Sequence, residues 1–325
     1  MIISINLLFI AFGILLLWQG AVFLIKSATQ IAKNFDISPL FIAITVIALG
    51  TAAPELFVSL TAAIEHNGGV VLGNIIGSNI LNIALILGIS GLIMAIKTKE
   101  EEKKGLQKEM IFFIIAPILL WLLALDKILS RMDGIILILS FLIFNVITIK
   151  NLRESRLRRL LEDAAEAAVM SPKKHYVKYI LILVASLIGL ILGARLTVMG
   201  ALKIAELACI PPIIISLTLI SIGTSLPELF TSIASAIKKI DNIRLGNILG
   251  SNVINIFFSL GLAIIISPLK ISSAVLMLDL PILILLSLFL TICFLKYKTL
   301  NRRMAVILLV MYVSYIAYRS VTGIM

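Results

Sequence analysis

Gly50-Thr51-Ala52-Ala53-Pro54-Glu55-Leu56-Phe57 is echoed 173 residues later by Gly223-Thr224-Ser225-Leu226-Pro227-Glu228-Leu229-Phe230. Each copy leads into a second phrase at the same offset: Gly73-Asn74-Ile75-Ile76-Gly77-Ser78-Asn79, then Gly246-Asn247-Ile248-Leu249-Gly250-Ser251-Asn252. Between 45 and 83, 20 of 39 positions match their partners without a gap, which marks an internal duplication. Both copies set a carboxylate, Glu55 or Glu228, into an otherwise apolar stretch. Two acidic half-sites that meet inside a membrane are the reading that this pattern supports.

The rest of the chain agrees. Of 325 residues, 61% are hydrophobic and 14% charged, with a mean hydropathy of +1.15. A soluble domain cannot bury that much apolar surface, so an all-α polytopic membrane protein is expected. Ten transmembrane helices are predicted, near 4–25, 38–64, 70–96, 108–125, 132–150, 177–201, 211–237, 245–267, 273–295 and 303–321. Five spans per copy is an odd number, so the second copy enters from the opposite side, giving two inverted five-helix repeats. The divisions are 1–150, a cytoplasmic linker at 151–175, and 176–325. The first 25 residues have no basic leader and read as a first span. Cys209 and Cys293 suggest two buried thiols, without a disulfide or zinc framework.

The net charge of +11 is unevenly placed. One set of loops carries Lys26, Lys33, the cluster from Lys97 to Lys108, the basic residues from Lys150 to Lys178, Lys238, Lys239, Arg244, and those from Lys296 to Arg303. The other side carries Lys127, Arg131, Lys203, Lys270 and Arg319, with Arg195 in or near the end of span six. The rich side is expected to be cytoplasmic, which places both termini outside. Its charge then faces anionic lipid and not nucleic acid. Asn151 to Met170 reads as a short interfacial helix tethering the repeats. Glu100 to Glu102, beside Lys103 and Lys104, read as a solvated loop.

An acid at mid-membrane costs about 3 kcal/mol on insertion scales, and this chain bears that cost twice. No Lys or Arg stands mid-span in either matched segment to neutralise it. Pro54 and Pro227 have no N–H, which frees the carbonyls of Gly50 and Gly223 four residues back. Thr51, Thr224 and Ser225 add hydroxyl oxygens. Carboxylates, carbonyls and hydroxyls together suit a hard cation. Ser78 and Asn82 share one helix face, as do Ser251 and Asn255, whereas Asn79 and Asn252 point aside and should bridge helices. Gly73, Gly77, Gly246 and Gly250 read as close-packing positions. Two ionised glutamates balance one Ca²⁺ or two Na⁺, and a site that must hold one or the other before it reorients is an antiporter. A third Na⁺ would make the cycle electrogenic.

These phrases resemble the alpha-repeats of the sodium/calcium exchangers, in the cation/calcium antiporter superfamily. Gly-Thr-Ser-x-Pro-Glu stands intact at 223–228 and altered at 50–55, and Gly-Asn-x-x-Gly-Ser-Asn follows each. The resemblance covers the whole chain and implies a Na⁺/Ca²⁺ antiporter with no cofactor and no catalytic residues. Spans two, three, seven and eight would surround the ions, and spans one and six would slide against them. Glu55 and Glu228 would be shared ligands of Ca²⁺ and Na⁺. Thr51 and Thr224 would contribute carbonyls, as would Ala48 and Ser221. Ser78, Asn82, Ser225, Ser251 and Asn255 would help ring the sodium sites.

Two departures stand out against the family pattern. Ala52 replaces a serine and removes a hydroxyl from one peripheral site. Asn255 stands where potassium-dependent relatives tend to carry an acid, which leans towards potassium independence. The large cytoplasmic calcium-sensing domains of some relatives have no counterpart in the short 151–175 segment. A prokaryotic plasma membrane is expected, with membrane lipid, Ca²⁺ and Na⁺ as partners and no obligate protein partner evident. Proton- or potassium-coupled exchange on the same fold is the alternative; a cation channel and a non-transporting scaffold are the others.

Overall fold

The computed structural model describes residues 2–35, 37–98, 103–163, 176–207 and 221–321. Its helices are α1 (Ile2–Phe35), α2 (Pro39–Thr51), α3 (Ala53–Ile64), α4 (Gly68–Ile93), α5 (Lys103–Leu123), α6 (Arg131–Asp163), α7 (Tyr176–Leu207), α8 (Ser221–Thr224), α9 (Leu226–Ile237), α10 (Asp241–Ile266), α11 (Val275–Leu295) and α12 (Arg302–Val321). Seven of the described helices are long and apolar enough to cross a membrane, and the pair α2–α3, bent by 44°, makes an eighth. α9 is the described end of the expected seventh span, whose earlier residues 211–220 lie outside the described ones. α12 coincides with the expected tenth span but is not among the seven.

Burial sorts these helices into layers. The spans in α4 and α10 are 78% and 83% buried, against 22% to 44% for the other five. α4 and α10 bury polar residues such as Asn74, Ser78, Asn247 and Ser251 along with their apolar ones, and these two helices form the interior. α1 and α7 lie along each other outside it, drawn close by glycines. A Cβ at Gly193 would stand 2.8 Å from the Gly13 carbonyl oxygen, and one at Gly200 would stand 2.7 Å from that of Asn6. Large apolar side chains such as Leu8, Phe12, Val146, Leu181 and Val313 face outward, as lipid-facing residues do.

Four two-residue strands close the ends of the bundle. β1 (Ile96–Lys97) pairs with β4 (Thr299–Leu300), and β2 (Ile128–Leu129) pairs with β3 (Leu269–Lys270), both antiparallel. Each ladder joins the first half of the chain to the second, and β1 lies 173 residues before β3. The left-handed residues also recur in pairs. His66 and Lys239, at φ 57° and 59°, end α3 and α9, while Lys127 and Lys298, at 65° and 57°, precede β2 and β4. A non-glycine residue adopts this conformation only at some cost, and here it recurs at matching places in the two halves.

Three sequence expectations change. Arg244, read as a loop charge, is fully buried in the first turn of α10. It pairs with Asp241. Its guanidinium also donates to the carbonyls of Ser90 at 2.8 Å, Met94 at 2.7 Å and Ala95 at 3.3 Å, where α4 ends. Asp241 in turn accepts from the Lys97 amide at 3.0 Å. The free carbonyls of a helix end need donors, and a five-donor fork meets several at once. Second, α6 runs on to Asp163 without a break at 150, so the start of the tether continues a span; residues 164–175 lie outside the described ones. Glu100 to Glu102 and Cys209 also fall outside them, and Cys293 is a buried free thiol.

The third change concerns the glycines. A Cβ at Gly250 would stand 2.3 Å from the Ile44 carbonyl oxygen and 2.6 Å from the Ala48 Cβ, and Gly246 similarly meets Ala43 and Leu40. These two let α10 approach α2, as expected. Nothing lies within 4 Å of a Cβ built on Gly73, so the packing role fails there. Gly250→Ala is expected to cost about 2 kcal/mol by forcing the helices apart, lowering the melting temperature in detergent. Gly73→Ala is expected to be neutral or slightly stabilising, since alanine favours helix over glycine by about 1 kcal/mol. Equal melting temperatures for the two variants would contradict this packing.

Candidate functional site

The two Pro-Glu phrases shape their backbones alike. α2 ends at Thr51, Ala52 forms a single turn residue, and α3 restarts with Pro54 in its first turn. α8 ends at Thr224, Ser225 forms the corresponding turn, and α9 restarts with Pro227. The proline cannot supply the helical hydrogen bond that would continue the preceding segment. Glu55 and Glu228 therefore stand in the first turn of a restarted helix, where the helix dipole favours a negative charge. Both are fully buried. Broken helices at membrane depth are tolerated where they border a cavity or bind something.

A network of oxygens surrounds the acids. Ser225 Oγ donates to Glu55 Oε1 at 2.8 Å and lies 3.2 Å from Ser78 Oγ. Ser251 Oγ lies 3.4 Å from Glu228 Oε1, within donating reach, and 3.5 Å from Thr51 Oγ1. Thr51 Oγ1 donates to Asn247 Oδ1 at 3.0 Å, and Thr224 Oγ1 to Asn74 Oδ1 at 3.4 Å. These last two bonds map onto each other under the 173-residue shift. Asn79 Nδ2 donates to the carbonyl of Asn252 at 3.3 Å, its own partner under that shift. Asn79 thus bridges helices as expected.

Several buried atoms are left without a hydrogen-bond partner: Glu55 Oε2, Glu228 Oε2, both amide atoms of Asn82, and Asn255 Oδ1. Asn255 Nδ2 donates to Asn79 Oδ1 at 3.2 Å. Buried acceptors are nearly always satisfied. A cluster of unmet oxygens around two carboxylates is a donor set suited to a cation and its water. Asn82 begins a stretch of wider π-helical winding, Asn82–Ile86, and Asn255 is the second residue of another, Ile254–Leu260. Such bulges often accompany functional sites.

The structure gathers Ser225, Ser78 and Thr224 around Glu55, gathers Ser251 and Thr51 around Glu228, and buries Asn82 and Asn255. Ala48 accepts from the Ala52 amide at 2.9 Å, so its carbonyl is engaged within the helix. Ser221 opens α8, and its side chain is not among the described ones. Asn74 and Asn247 were missed as site residues. Asn74 Nδ2 donates to the Glu55 carbonyl and to Ser59 Oγ, each at 2.9 Å, which ties α4 to the base of α3. The signal was available: both asparagines stand in the second repeated phrase.

An opening of about 660 Å³ reaches this network, lined by Pro54, Phe57 and Thr61 of α3, Arg195 and Val198 of α7, and Thr224. Membrane-length helices, two interior spans and a polar centre reached through a groove define a multi-pass membrane transporter. The family pattern described as sodium/calcium exchanger protein matches residues 5–150 and 178–321. The sodium/calcium exchanger MaX1 of Methanosarcina acetivorans is 30% identical over 346 residues, covering 97% of this chain and 98% of that one. An uncharacterized membrane protein of Methanocaldococcus jannaschii, MJ0091, is 33% identical over 307 residues, covering 94% and 95%. A solved structure of the sodium-calcium exchanger NCX_Mj, soaked with Na⁺ and Sr²⁺, aligns with a TM-score of 0.82 at 32% identity, covering 97% of this chain and 99% of that one. The chain belongs to the sodium/calcium exchanger family. It is a transmembrane antiporter and not an enzyme.

Proposed function

We propose that the protein exchanges Na⁺ for Ca²⁺ by alternating access, with Glu55 and Glu228 holding either one Ca²⁺ or Na⁺ ions at a shared site. The observation that carries this reading is the pair of fully buried glutamates, each with a carboxylate oxygen that has no partner. Thr51, Thr224, Ser78, Ser225, Ser251, Asn82 and Asn255 complete the ligand set, with carbonyls near Ala48 and Ser221. Three Na⁺ for one Ca²⁺ would leave one surplus charge and make the cycle electrogenic. Ten spans in two inverted repeats, 1–150 and 176–325, form the transporter. The exchanged strand pairs and the matched Thr–Asn bonds support that plan. Both termini lie outside a prokaryotic plasma membrane.

The test is Ca²⁺ uptake into Na⁺-loaded proteoliposomes diluted into Na⁺-free buffer, with K⁺ and pH varied independently. Uptake should need the sodium gradient and ignore K⁺ and a collapsed pH gradient. Uptake that follows the pH gradient would make this a proton-coupled antiporter.

The site is not symmetric, and Ala52 is the reason. Ser225 supplies Glu55 with a hydroxyl, whereas its partner under the 173-residue shift is Ala52, which is 1% exposed and has none to give Glu228. Ala52→Ser is expected to lower the half-saturating Na⁺ concentration about threefold. A hydrogen bond or ligand oxygen with a net worth of about 0.5–1 kcal/mol corresponds to that factor. An unchanged Na⁺ dependence would mean that the missing hydroxyl was never a ligand.

A further inference from the structure

Arg195 stands within the span of α7, on an exposed face whose other residues are apolar. Ile188, Leu192, Arg195 and Met199 recur at i, i+4, i+7 and i+11, one side of a helix, and all four are exposed. Arg244 and Arg319, also set into described helices, are both paired with acids: Arg244 with Asp241, and Arg319 with Asp279 at 2.7 Å. Among the described residues Arg195 has no ion pair or hydrogen bond. Glu65 shares the rim of the same groove, and no ion pair joins the two. An arginine at membrane depth is costly unless something outside the helix meets it.

We propose that Arg195 binds the phosphate of an anionic phospholipid. The acyl chain lies along Leu192, Ile188 and Leu181, which continue the same exposed face towards the start of α7. The guanidinium fork suits a phosphate, and the apolar stripe suits the chain attached to it. Arg195 also lines the groove that reaches Thr224. Left bare, its charge repels a cation entering there. A lipid phosphate cancels that charge and adds anionic oxygens to those of Glu65 at the mouth. The lipid thus completes the entrance to the ion site. This functional consequence rests on the exchange reading above; the binding does not.

The test compares wild type, Arg195→Gln and Arg195→Lys. Each is reconstituted in phosphatidylcholine alone, in phosphatidylcholine with one quarter phosphatidylglycerol, and in phosphatidylcholine with added inorganic phosphate. Native mass spectrometry counts retained phosphatidylglycerol, and Na⁺-driven Ca²⁺ uptake is measured in parallel. Wild type should retain one more phosphatidylglycerol than Arg195→Gln and exchange several-fold faster with it than without. Arg195→Gln should lose that acceleration at an unchanged melting temperature, and Arg195→Lys should keep part of it. Equal lipid retention in wild type and Arg195→Gln would overturn the site, whatever the flux. So would an equal lipid response in the two, or full acceleration by inorganic phosphate alone. Absence of exchange in every lipid would instead defeat the functional reading, leaving the retention count to decide the site.

Discussion

Glu228→Gln is expected to abolish Na⁺-driven Ca²⁺ uptake while leaving the protein folded. Glutamine keeps the size of the side chain and one acceptor oxygen, so the restarted helix α9 and the contact with Ser251 have no steric reason to change. What is lost is one of two charges that would face the cation. A unit charge 4 Å from a cation is worth about 4 kcal/mol per cation charge at an effective dielectric of 20. Against a divalent ion, even half of that figure implies a loss of roughly a thousandfold in affinity. Replacing a fully buried carboxylate that has an unpartnered oxygen by a neutral amide removes a desolvation cost, so the melting temperature should hold or rise. Glu109→Gln is the control. Glu109 is also buried, but it accepts from Thr148 Oγ1 at 3.1 and 3.2 Å, away from the repeated phrases. It should transport normally. Wild-type flux in Glu228→Gln, or equal losses in both variants, would remove Glu228 from the site.

Arg244→Gln should be the most destabilising of the single substitutions considered. The guanidinium meets three carbonyls at the end of α4 and the Asp241 carboxylate. Glutamine is too short to reach all four and leaves Asp241 without its charge partner. Breaking a buried pair from one side typically costs about 3 kcal/mol or more. In detergent the melting temperature should fall by several degrees. Asp241→Asn should fall less, because Arg244 keeps its carbonyl acceptors and Asp241 is the more exposed partner, at 21%. A larger drop for Asp241→Asn than for Arg244→Gln would show that the ion pair, and not the carbonyl clasp, holds this end of the interior.

These two residues mark what the sequence made legible. Glu228 could be read directly, because a carboxylate in an apolar run is conspicuous and its duplicate at Glu55 removes chance. The same duplication gave the paired prolines, the turns at Ala52 and Ser225, and the face shared by Ser78 and Asn82. Arg244 could not be read that way. A basic residue at a helix start has the signature of a loop charge, and only the tertiary fold brings the end of α4 beneath it. Asn74 and Asn247 were visible in the second phrase but had no assignable direction until α4 and α10 were placed beside the acids. Gly73 and Gly246 open the same Gly-Asn-Ile phrase and differ in what lies opposite. Helix ends behaved similarly: α1 runs to Phe35 and α6 to Asp163, ten or more residues past the apolar limits expected, because a helix can continue into polar sequence once its core-facing turns are fixed.

One pair of glutamates is proposed to hold Ca²⁺ or Na⁺ but not both. Equilibrium binding of ⁴⁵Ca²⁺ to the purified protein, titrated with Na⁺ at constant ionic strength, tests it most directly. About one Ca²⁺ per chain is expected at saturation, displaced completely and steeply by more than one Na⁺, with no binding to the Glu55→Gln, Glu228→Gln double variant. Ca²⁺ that stays bound at saturating Na⁺, or that binds the double variant as tightly as wild type, would contradict it.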